Sequence, residues 1–540
     1  MKFRYFRFGL SEGALALICV LTLLPLLHLL FYLFVPTPEV WAHVGPLLPG
    51  LIANTGWLLF GVLTGSCLLG TTLAWLTGGC EFPGRRFFAW ALMLPLAIPA
   101  YVLGFVMVGL LDFSGPLQTG LRGWFGADFQ LPAVRSLGGV ILALTLALYP
   151  YVYLLARNAF LTQSGRVLEA GRCLGLSTFA VFWHVSLPMA RPWIGAGLML
   201  VAMETLADFG TVSVFNFETF TTAIYKAWFG LFSLPAAAQL SSFLVLFAFA
   251  ALILEQRQRS RQRFYVATRS SSGIHRVRLQ GLGACAAVAG TAGVLFLAFL
   301  LPLLQLLSWS LEVFASDWDA RFVDYLFNSL IMAGLGSMLI LVVAVTLSLI
   351  RRKRKTWLSL LLVRLATLGY SLPGTVLAVG VFLPVAWLDN QLIDAGKRWF
   401  DLEWAPLFGG GLLTLLLAYL IRFLAVGYGA TDSALQRITP SMEDAAQSLG
   451  VAGFDMLRKV HFPLLSGGLF SAYLLAFVDI MKEMPITLLM RPFGWDNLAV
   501  RIFEMTAEGE WQKAALPSVV LVLAGLLPIY LLVRHTESKE

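Results

Sequence analysis

The sequence has little charge and little cysteine for a chain of its length. Only 13% of its 540 residues are Asp, Glu, Lys or Arg, whereas 59% are hydrophobic and the mean hydropathy is +0.80. No soluble core can bury so much apolar surface, so the composition excludes an ordinary soluble protein. The five cysteines form no CxxC pair and have no histidine at zinc-ligand spacing, which argues against a structural zinc site.

The sequence also lacks the motif that binds the phosphates of ATP. No G-x-x-x-x-G-K-[ST] run occurs, and the Gly396–Lys397 pair lacks both the upstream glycine and the following Ser or Thr. We therefore expect this chain to bind no ATP, no Mg²⁺ and no other cofactor, and not to be an enzyme. We also expect no nucleic-acid partner.

Long hydrophobic runs are what the sequence has in abundance. A helix that crosses a bilayer needs about 20 mostly apolar residues. Twelve runs of about this length occur, at residues 12–35, 54–77, 88–111, 137–156, 193–215, 236–254, 281–307, 328–350, 360–386, 408–428, 466–489 and 514–533. The sequence predicts an all-α polytopic membrane protein with about 12 transmembrane helices in contact with the lipid bilayer.

Basic residues indicate which loops face the cytoplasm. They precede the first run and follow the second, sixth and eighth runs, as in EQRQRSRQRF at 255–264 and RRKRK at 351–355. Basic loops stay on the cytoplasmic side during insertion. Because the number of spans is even, both termini are expected to be cytoplasmic.

The two halves of the chain resemble each other at a shift of about 275 residues. We predict a first six-helix repeat at 1–254, a basic cytoplasmic linker at 255–280 and a second repeat at 281–540. Repeats with an even number of spans insert the same way up, so a pseudo-twofold axis is expected along the membrane normal. The matched pairs include Gly175 with Gly450, Phe179 with Phe454, Val185 with Val460, Pro188 with Pro463 and, at a shift of 274, Asn54 with Asn328.

Each repeat carries one polar cytoplasmic stretch between its fourth and fifth spans, at 157–192 and 429–465. In the first stretch, apolar residues recur at helical spacing, Gly175 can end a helix by adopting a positive φ, and Pro188 stops its continuation. The pattern predicts a helix, a tight turn and a second short helix, which together present a compact shape to a cytoplasmic partner. The alternative is an amphipathic loop that lies on the bilayer.

Both stretches resemble the EAA loop in the membrane subunits of ABC importers. The family pattern is E-A-A, three residues, G, about nine residues, and then hydrophobic-x-L-P. The first copy departs from it at Gly171, and the second departs at Asp444, although Glu443 stands one residue earlier, and at Phe462. The matched positions are Glu169, Ala170, Gly171, Gly175, Val185, Leu187 and Pro188 in the first copy, and Asp444, Ala445, Ala446, Gly450, Val460, Phe462 and Pro463 in the second.

The resemblance implies the fold of a type I ABC importer permease and a set of partners. In that family the loop docks into a cleft of a separate ATPase subunit. The expected partners are a homodimeric ATPase, which carries ATP and Mg²⁺, and a periplasmic binding protein, and the expected location is the bacterial inner membrane. The residues expected to dock on the ATPase are Glu169, Ala170, Gly171, Gly175, Pro188, Asp444, Ala445, Ala446, Gly450 and Pro463.

Two acidic pairs lie inside predicted spans, where an ionisable group is costly and needs an explanation. Glu204 and Asp208 in the fifth run match Asp479 and Glu483 in the eleventh at a shift of 275. The i, i+4 spacing predicts that each pair lies on one helical face. Carboxylate oxygens suit hard cations, so two such faces meeting at the axis predict four carboxylates around a cation pathway.

The segments ETLADFGTVSVF at 204–215 and MKEMPITLLMRPF at 481–493 resemble the ferric-iron importer permeases, and the likeness covers nearly the whole chain. That family takes Fe(III) from a periplasmic binding protein. Our hypothesis is that the four acids contact the iron transiently. The structural alternative is that the acids hydrogen-bond to neighbouring helices and that Lys482 neutralises Asp479 or Glu483.

Other transport functions stay open on the sequence alone. Thiamine permeases are the nearest alternative among ABC importers, followed by permeases of the phosphonate, sulfate and molybdate types. A secondary transporter also has twelve spans in two parallel halves. However, TGGCEFPGRR at 77–86 lacks the Asp-Arg pair of the major facilitators, and neither such a transporter nor a channel has a reason for two EAA loops.

Prolines interrupt several of the predicted spans. Pro95 and Pro99 fall in the third run, Pro150 in the fourth and Pro373 in the ninth. A proline removes a helical hydrogen bond, which a membrane tolerates where neighbouring helices or a cavity satisfy the freed group. These prolines are expected to break helical hydrogen bonds, either as gate elements or as packing kinks.

Overall fold

The fold is known from a computed structural model. The structure describes residues 10–36, 42, 44–162, 175, 177–260, 276–353, 356–401, 408–451 and 453–537. These residues are almost entirely helical. The α-helices, in chain order, are α1 (Leu10–Phe31), α2 (Leu48–Gly79), α3 (Arg85–Ala91), α4 (Ala100–Leu111), α5 (Pro116–Phe125), α6 (Leu137–Thr162), α7 (Thr178–Val181), α8 (Leu187–Ala207), α9 (Gly210–Val214), α10 (Phe220–Tyr225), α11 (Leu234–Ser260), α12 (Leu282–Leu295), α13 (Leu301–Asp317), α14 (Ala320–Lys353), α15 (Trp357–Ala366), α16 (Gly374–Phe400), α17 (Leu412–Leu435), α18 (Pro440–Ser448), α19 (Phe454–Met456), α20 (Phe462–Lys482), α21 (Pro485–Met490), α22 (Leu498–Ala507) and α23 (Trp511–Glu537).

Shorter elements connect or extend these helices. Four are 3₁₀ turns, at Tyr32–Phe34, Gly45–Leu47, Leu94–Ala97 and Leu368–Ser371. Four are π-helical turns, at Phe182–Ser186, Lys226–Gly230, Phe296–Leu300 and Leu457–His461. The strands β1 (Cys80–Glu81) and β2 (Val277–Arg278) pair in parallel, so the described end of the linker lies beside the loop that follows α2.

The helices confirm the prediction of an all-α polytopic membrane protein. Among the described residues, ten helical segments are long and apolar enough to cross a bilayer. The apolar parts of α11 and α23, Leu234–Phe249 and Trp511–Leu527, occupy the positions of the sixth and twelfth predicted runs. An α-helix satisfies its backbone hydrogen bonds internally, which is why these runs fold as helices in lipid.

Within the described residues, four predicted spans are broken: the third and ninth at prolines, and the fifth and eleventh after Ala207 and Lys482. The third run becomes α3, a 3₁₀ turn and α4, and the ninth becomes α15, a 3₁₀ turn and α16. Pro99 and Pro373 stand immediately before α4 and α16, both with φ −56° and ψ 142°. Because proline has no N–H and favours an extended conformation at the residue before it, the break falls there. Pro150, in contrast, lies inside the continuous helix α6.

The described chain forms two compact units that do not coincide with the two sequence repeats. Unit 1 comprises Met1–Trp41, Ile224–Ser242 and Asp319–Arg501, and unit 2 comprises Ala42–Ala223, Phe243–Trp318 and Ile502–Glu540. Each unit therefore holds the central helices of one repeat together with the first span and part or all of the last span of the other repeat.

The first span of each repeat packs closely against helices of the unit that contains it. In unit 1, α1 packs against α15 and α16, and Leu29 fills the space beside Gly380. The side-chain amide of Gln239 donates to the backbone oxygens of Tyr32 and Val35, at 3.3 and 2.7 Å. In unit 2, α13 packs against α4 of the first repeat and against α23, the last span of its own repeat. The first span of each repeat is thus part of the core around the opposite repeat.

Small residues let the central helices approach closely. In unit 2, α2 packs along α6, with Gly70 against Val152, and α8 packs on both helices. In unit 1, α14, α17 and α20 form the corresponding triplet, with Gly336 facing Ile480 and Gly427 facing Ile340. Close backbone approach at small residues is the main source of helix association in lipid. Each triplet includes the span that carries an acidic pair.

Candidate functional site

The second polar stretch forms the helix, turn and helix that the sequence predicts. Helix α18 ends in a Schellman motif: Val451 N–H donates to the Ala446 oxygen at 3.0 Å, and Gly450 N–H donates to the Gln447 oxygen at 2.9 Å. Gly450 has φ +80°, as this motif requires. Of the predicted docking residues on α18, Asp444 and Ala445 are exposed and Ala446 is buried.

The first polar stretch is described only from its turn onward. Glu169, Ala170 and Gly171 lie outside the described residues. Gly175 has φ +82°, matching Gly450 at a shift of 275. The π-helical turns Phe182–Ser186 and Leu457–His461 also match at that shift, so the described part of the loop has the same backbone design in both repeats.

Pro188 and Pro463 do not stop the second short helix, and this expectation is wrong. Each proline lies in the first turn of the following span, in α8 and α20, directly after a π-helical turn. Proline is tolerated in a first helical turn, and the wider π turn makes room for its ring. The second part of each loop therefore runs without a break into the span that carries the acidic pair.

Glu443, the acid that precedes Asp444 on α18, faces neighbouring residues of the protein. Its Oε1 atom accepts hydrogen bonds from Arg352 Nε and His461 Nε2, both at 2.8 Å. Burial alone would raise the pKa of this carboxyl, but the hydrogen bonds from Arg352 and His461 and their positive charges bring the pKa below its ordinary value of 4.5. Asp444 is therefore the acid that α18 presents outward.

The i, i+4 spacing predicts that each acidic pair lies along one helix. In the structure, each pair is instead divided by the end of a helix. Helices α8 and α20 end at Ala207 and Lys482, and the next residues, Asp208 and Glu483, have extended backbones with ψ 128° and 111°. Glu204 and Asp479 lie within the helices, whereas Asp208 and Glu483 stand at the breaks. The residues on both sides of each break are mostly apolar, so hydropathy alone does not reveal the break.

Asp208 caps the short helix that follows the break in unit 2. Its carboxylate accepts hydrogen bonds from Thr211 Oγ1 at 2.8 Å and from Val212 N–H at 3.0 Å. Its backbone oxygen accepts one from Thr221 Oγ1 at 2.7 Å. A carboxylate at this position satisfies N–H groups that lack partners at the start of α9. Asp208 therefore stabilises the break in the fifth predicted span.

Glu483 has the same position in unit 1 but a charged partner. Its Oε2 atom lies 3.1 Å from Arg422 Nε, and Oε1 accepts a hydrogen bond from Ile486 N–H, in α21, at 3.2 Å. Arg422 Nη1 also donates to the Leu372 oxygen at 2.8 Å, just before the break at Pro373. Through these two contacts Arg422, in the tenth span, ties the broken ninth span to the broken eleventh span.

Arg422 is the functional residue that the sequence analysis overlooks. The structural alternative named Lys482 as the possible neutraliser of Glu483, but the ion pair of Glu483 is with Arg422. An arginine inside the predicted tenth run is itself a signal, because a charge there is costly. Lys482 lies one turn after Asp479 and interacts with it electrostatically.

A second repeated device anchors the loop beyond each break. Asn54 Nδ2 donates to the Glu218 oxygen at 3.1 Å in unit 2, and Asn328 Nδ2 donates to the Asp496 oxygen at 3.0 Å in unit 1. The matched asparagines of the internal repeat therefore have the same structural role. Within the described part of the chain, no three His, Cys, Asp or Glu side chains come together as a metal site.

Comparison with known proteins identifies the family. The profile described as "Binding-protein-dependent transport system inner membrane component" matches residues 70–263 and 336–539. The chain belongs to this family. Its two matches confirm the internal repeat and show a permease with two fused halves, which is the membrane-embedded transport subunit of an ABC system. Because the chain belongs to this family, we discard the alternatives of a secondary transporter and a channel.

Similar proteins match the permease over different extents. The Fe(3+)-transport system permease protein FbpB 2 of Haemophilus influenzae is 28% identical over 497 residues, covering 91% of this chain and 90% of that protein. The molybdenum transport system permease protein ModB of Escherichia coli is 28% identical over 193 residues, covering 35% of this chain and 82% of ModB. The putative 2-aminoethylphosphonate transport system permease protein PhnV of Salmonella typhimurium is 29% identical over 266 residues, covering 45% of this chain and 91% of PhnV.

Proposed function

We propose that this permease carries ferric iron from a periplasmic binding protein to the cytoplasm. The observation that carries the proposal is the likeness to an Fe(3+)-transport permease along nearly the whole of both chains. The repeated intramembrane acids support it, because a hard trivalent cation is matched by carboxylate oxygens. Iron is the substrate here and not a resident cofactor.

The driving force in this proposal comes from a separate homodimeric ATPase that binds ATP and Mg²⁺. Its two subunits dock on the polar loops at 157–192 and 429–465. The exposed Asp444 and Ala445 on α18 support a docking role, since an amphipathic helix with one outward acid suits a groove with a basic rim. Both termini then lie in the cytoplasm, and the chain lies in the bacterial inner membrane.

Transport proceeds by alternating access. Closure of the ATPase dimer on ATP draws the two docking loops together, and the spans open outward to accept iron from the docked binding protein. Hydrolysis resets the pathway to the inward-open state. Because the second part of each loop continues directly into α8 or α20, a movement of that part reaches the broken spans without an interruption of the helix.

The four acids divide into two roles in this scheme. Asp208 and Glu483 keep the breaks in shape through the hydrogen bonds and ion pair described above. Glu204 and Asp479, half-buried one helical turn before the breaks, are the proposed transient contacts for iron. Contacts made by few ligands are weak, as transport requires, because a tightly bound ion would not leave.

The proposal is tested by asking which loaded binding protein stimulates ATP hydrolysis by the complete complex. In proteoliposomes, the iron-loaded binding protein should raise the hydrolysis rate well above that with the empty protein. Molybdate, 2-aminoethylphosphonate and thiamine, each with a binding protein that holds it, should produce no such rise. Stimulation by one of these three and not by iron would keep the ABC permease and replace its substrate.

An oxyanion is the second candidate substrate. The ModB and PhnV likenesses, each covering less than half of this chain, favour it. An anion pathway should place basic groups at mid-span. The arginine found there, Arg422, is paired with Glu483 and bound to the Leu372 oxygen, so its charge is already compensated. We therefore favour the cation.

A further inference from the structure

Arg352 links four separate parts of unit 1 at its cytoplasmic end. It lies in the last turn of α14, and its Nε atom donates to Glu443 on the docking helix α18 at 2.8 Å. Nη1 donates to the Leu435 oxygen at 2.8 Å, and Nη2 donates to the Ile438 oxygen at 2.7 Å. All three nitrogens of one guanidinium group are thus used.

The two carbonyl groups that Arg352 binds belong to the C-terminal end of α17 and the turn after it. The last carbonyls of a helix lack intrahelical partners and carry the negative end of the helix dipole. The planar fork of arginine can satisfy both while it holds a carboxylate, which the single ammonium of lysine cannot do. The contact therefore fixes the geometry between the eighth and tenth spans and α18.

His461 adds the eleventh span to this network. It is the last residue of the π-helical turn that leads into α20, it is only 6% exposed, and its Nε2 atom donates to Glu443 Oε1 at 2.8 Å. Glu443 is therefore held from two sides, by α14 through Arg352 and by the start of α20 through His461. π-helical turns occur frequently at functional positions, where they re-aim a side chain.

An apolar layer lies directly beneath this polar network. Residues from the ends of α17 and α20 form its centre, and residues of α14 pack around it. The layer contains Ala434, Leu435, Ile438, Leu465 and Leu469, with Leu341, Val345 and Leu349 against them. Packed side chains are not continuously deformable, so polar network and apolar layer together form one stiff body.

The first repeat does not carry the residues of this network at the matching sequence positions. The sequence counterparts of Glu443 and His461, 275 residues earlier, are Leu168 and Ser186. The counterpart of Arg352 is Thr77 at a shift of 275, or Gly78 at the shift of 274 that relates Asn54 to Asn328. None of these residues is charged. The first docking loop therefore cannot form the same ion-paired connection.

We propose that Arg352 is a positioning residue that couples the second docking helix to the spans, acting through Glu443 and His461. The proposal rests on the proposed docking of α18 on an ATPase. When the ATPase moves α18, the cluster makes α14, α17 and α20 move with it. Without the cluster, α18 can tilt on its backbone connections alone, and ATP hydrolysis proceeds without an equivalent movement of the spans.

The test measures the number of ATP molecules hydrolysed for each substrate molecule transported. The complete complex in proteoliposomes is compared as wild type, Arg352→Gln and the matched control Lys353→Gln, an exposed neighbour in the same helical turn. Arg352→Gln should raise this ratio about fivefold or more, in line with typical coupling between distant sites. Lys353→Gln should leave it at the wild-type value, and Arg352→Lys should give an intermediate ratio because it restores the charge without the fork.

Two further measurements separate coupling from folding and from the proposed function. A merely structural role would lower the yield or the thermal midpoint of the Arg352→Gln complex while leaving the ratio unchanged, and an unchanged ratio overturns the proposal. If Arg352→Gln does not assemble, Glu443→Gln, which keeps the side-chain shape, should raise the ratio in the same direction. A wild-type chain that neither binds an ATPase nor transports with ATP would instead contradict the proposed function itself.

Discussion

At the scale of single residues, the ion pair between Arg422 and Glu483 is the most consequential interaction. Only 12% and 6% of the two side-chain surfaces are exposed, and the pair joins the tenth span to the broken eleventh span. Taking two charges out of water is costly, and their mutual attraction offsets this only while both are present. Removing either partner leaves one charge buried and uncompensated.

We expect Glu483→Ala and Arg422→Ala each to lower the free energy of unfolding by about 3 to 5 kcal/mol. A double variant, Arg422→Met with Glu483→Leu, should be less destabilised than either single variant, because no unpaired charge remains. Thermal unfolding of the purified permease in detergent measures all three. A double variant as unstable as the sum of the singles would show that the charges do not depend on each other.

The two roles given to the acids lead to a second prediction at this scale. Glu204→Gln and Asp479→Asn should each lower iron uptake about tenfold or more, which corresponds to about 1.4 kcal/mol, with little effect on the thermal midpoint. Asp208→Asn and Glu483→Gln should lower the midpoint as well as uptake. Iron uptake and thermal unfolding, measured on the same preparations, distinguish the acids that contact iron from the acids that stabilise the breaks. Full uptake by both Glu204→Gln and Asp479→Asn would remove these acids from the pathway.

The lowered pKa of Glu443 gives a prediction about pH. An acid whose pKa is lower in the folded than in the unfolded state stabilises the fold fully above its ordinary pKa, here 4.5, and this contribution is lost as the pH falls through the lowered pKa. The difference in thermal midpoint between wild type and Glu443→Gln should therefore shrink as the pH falls below 4.5. A difference that stays the same or grows as the pH falls below 4.5, measured on the same two proteins, would contradict this assignment.

At the scale of elements, the turn after α18 depends on the backbone of one glycine. Gly450 has φ +80° and open space around the position of a Cβ atom, so an alanine there meets strain and no clash. Gly450→Ala should cost about 1 to 2 kcal/mol and weaken binding of the ATPase. Gly467→Ala, in α20 with equally open space and a helical backbone, is the control and should be neutral or slightly stabilising. Equal effects of the two variants on ATPase binding would show that the turn has no part in docking.

Elements were predictable from the sequence where one local signal decides them. The hydrophobic runs gave the spans, Gly450 gave the end of α18, and Pro99 and Pro373 gave two of the breaks. The breaks at Asp208 and Glu483 were missed because mostly apolar residues flank them, although Pro485, in the first turn of α21, is a local signal for the second break. They are held by partners distant in sequence, such as Thr221 for Asp208 and Arg422 for Glu483, which only the tertiary structure brings together.

At the scale of the whole molecule, the repeat was visible in the sequence but the exchange of first spans was not. The shift of about 275 residues relates glycines, prolines, asparagines and acids that have the same structural positions in both repeats. Which unit a span joins is decided by contacts such as Leu29 beside Gly380, and an apolar span looks alike wherever it packs. Each first span therefore ties the two repeats together in a way that periodicity cannot show.

The substrate is also a property of the whole molecule, because it rests on likeness along the full chain together with acids in both repeats. The measurement that tests the central claim most directly is uptake of radioactive ferric iron into proteoliposomes. These contain the permease, its ATPase and an iron-loaded binding protein, with ATP or with a non-hydrolysable analogue. We predict iron accumulation that requires ATP hydrolysis and the binding protein. Accumulation of thiamine or an oxyanion but not iron, or iron uptake that proceeds without the ATPase, would contradict the account.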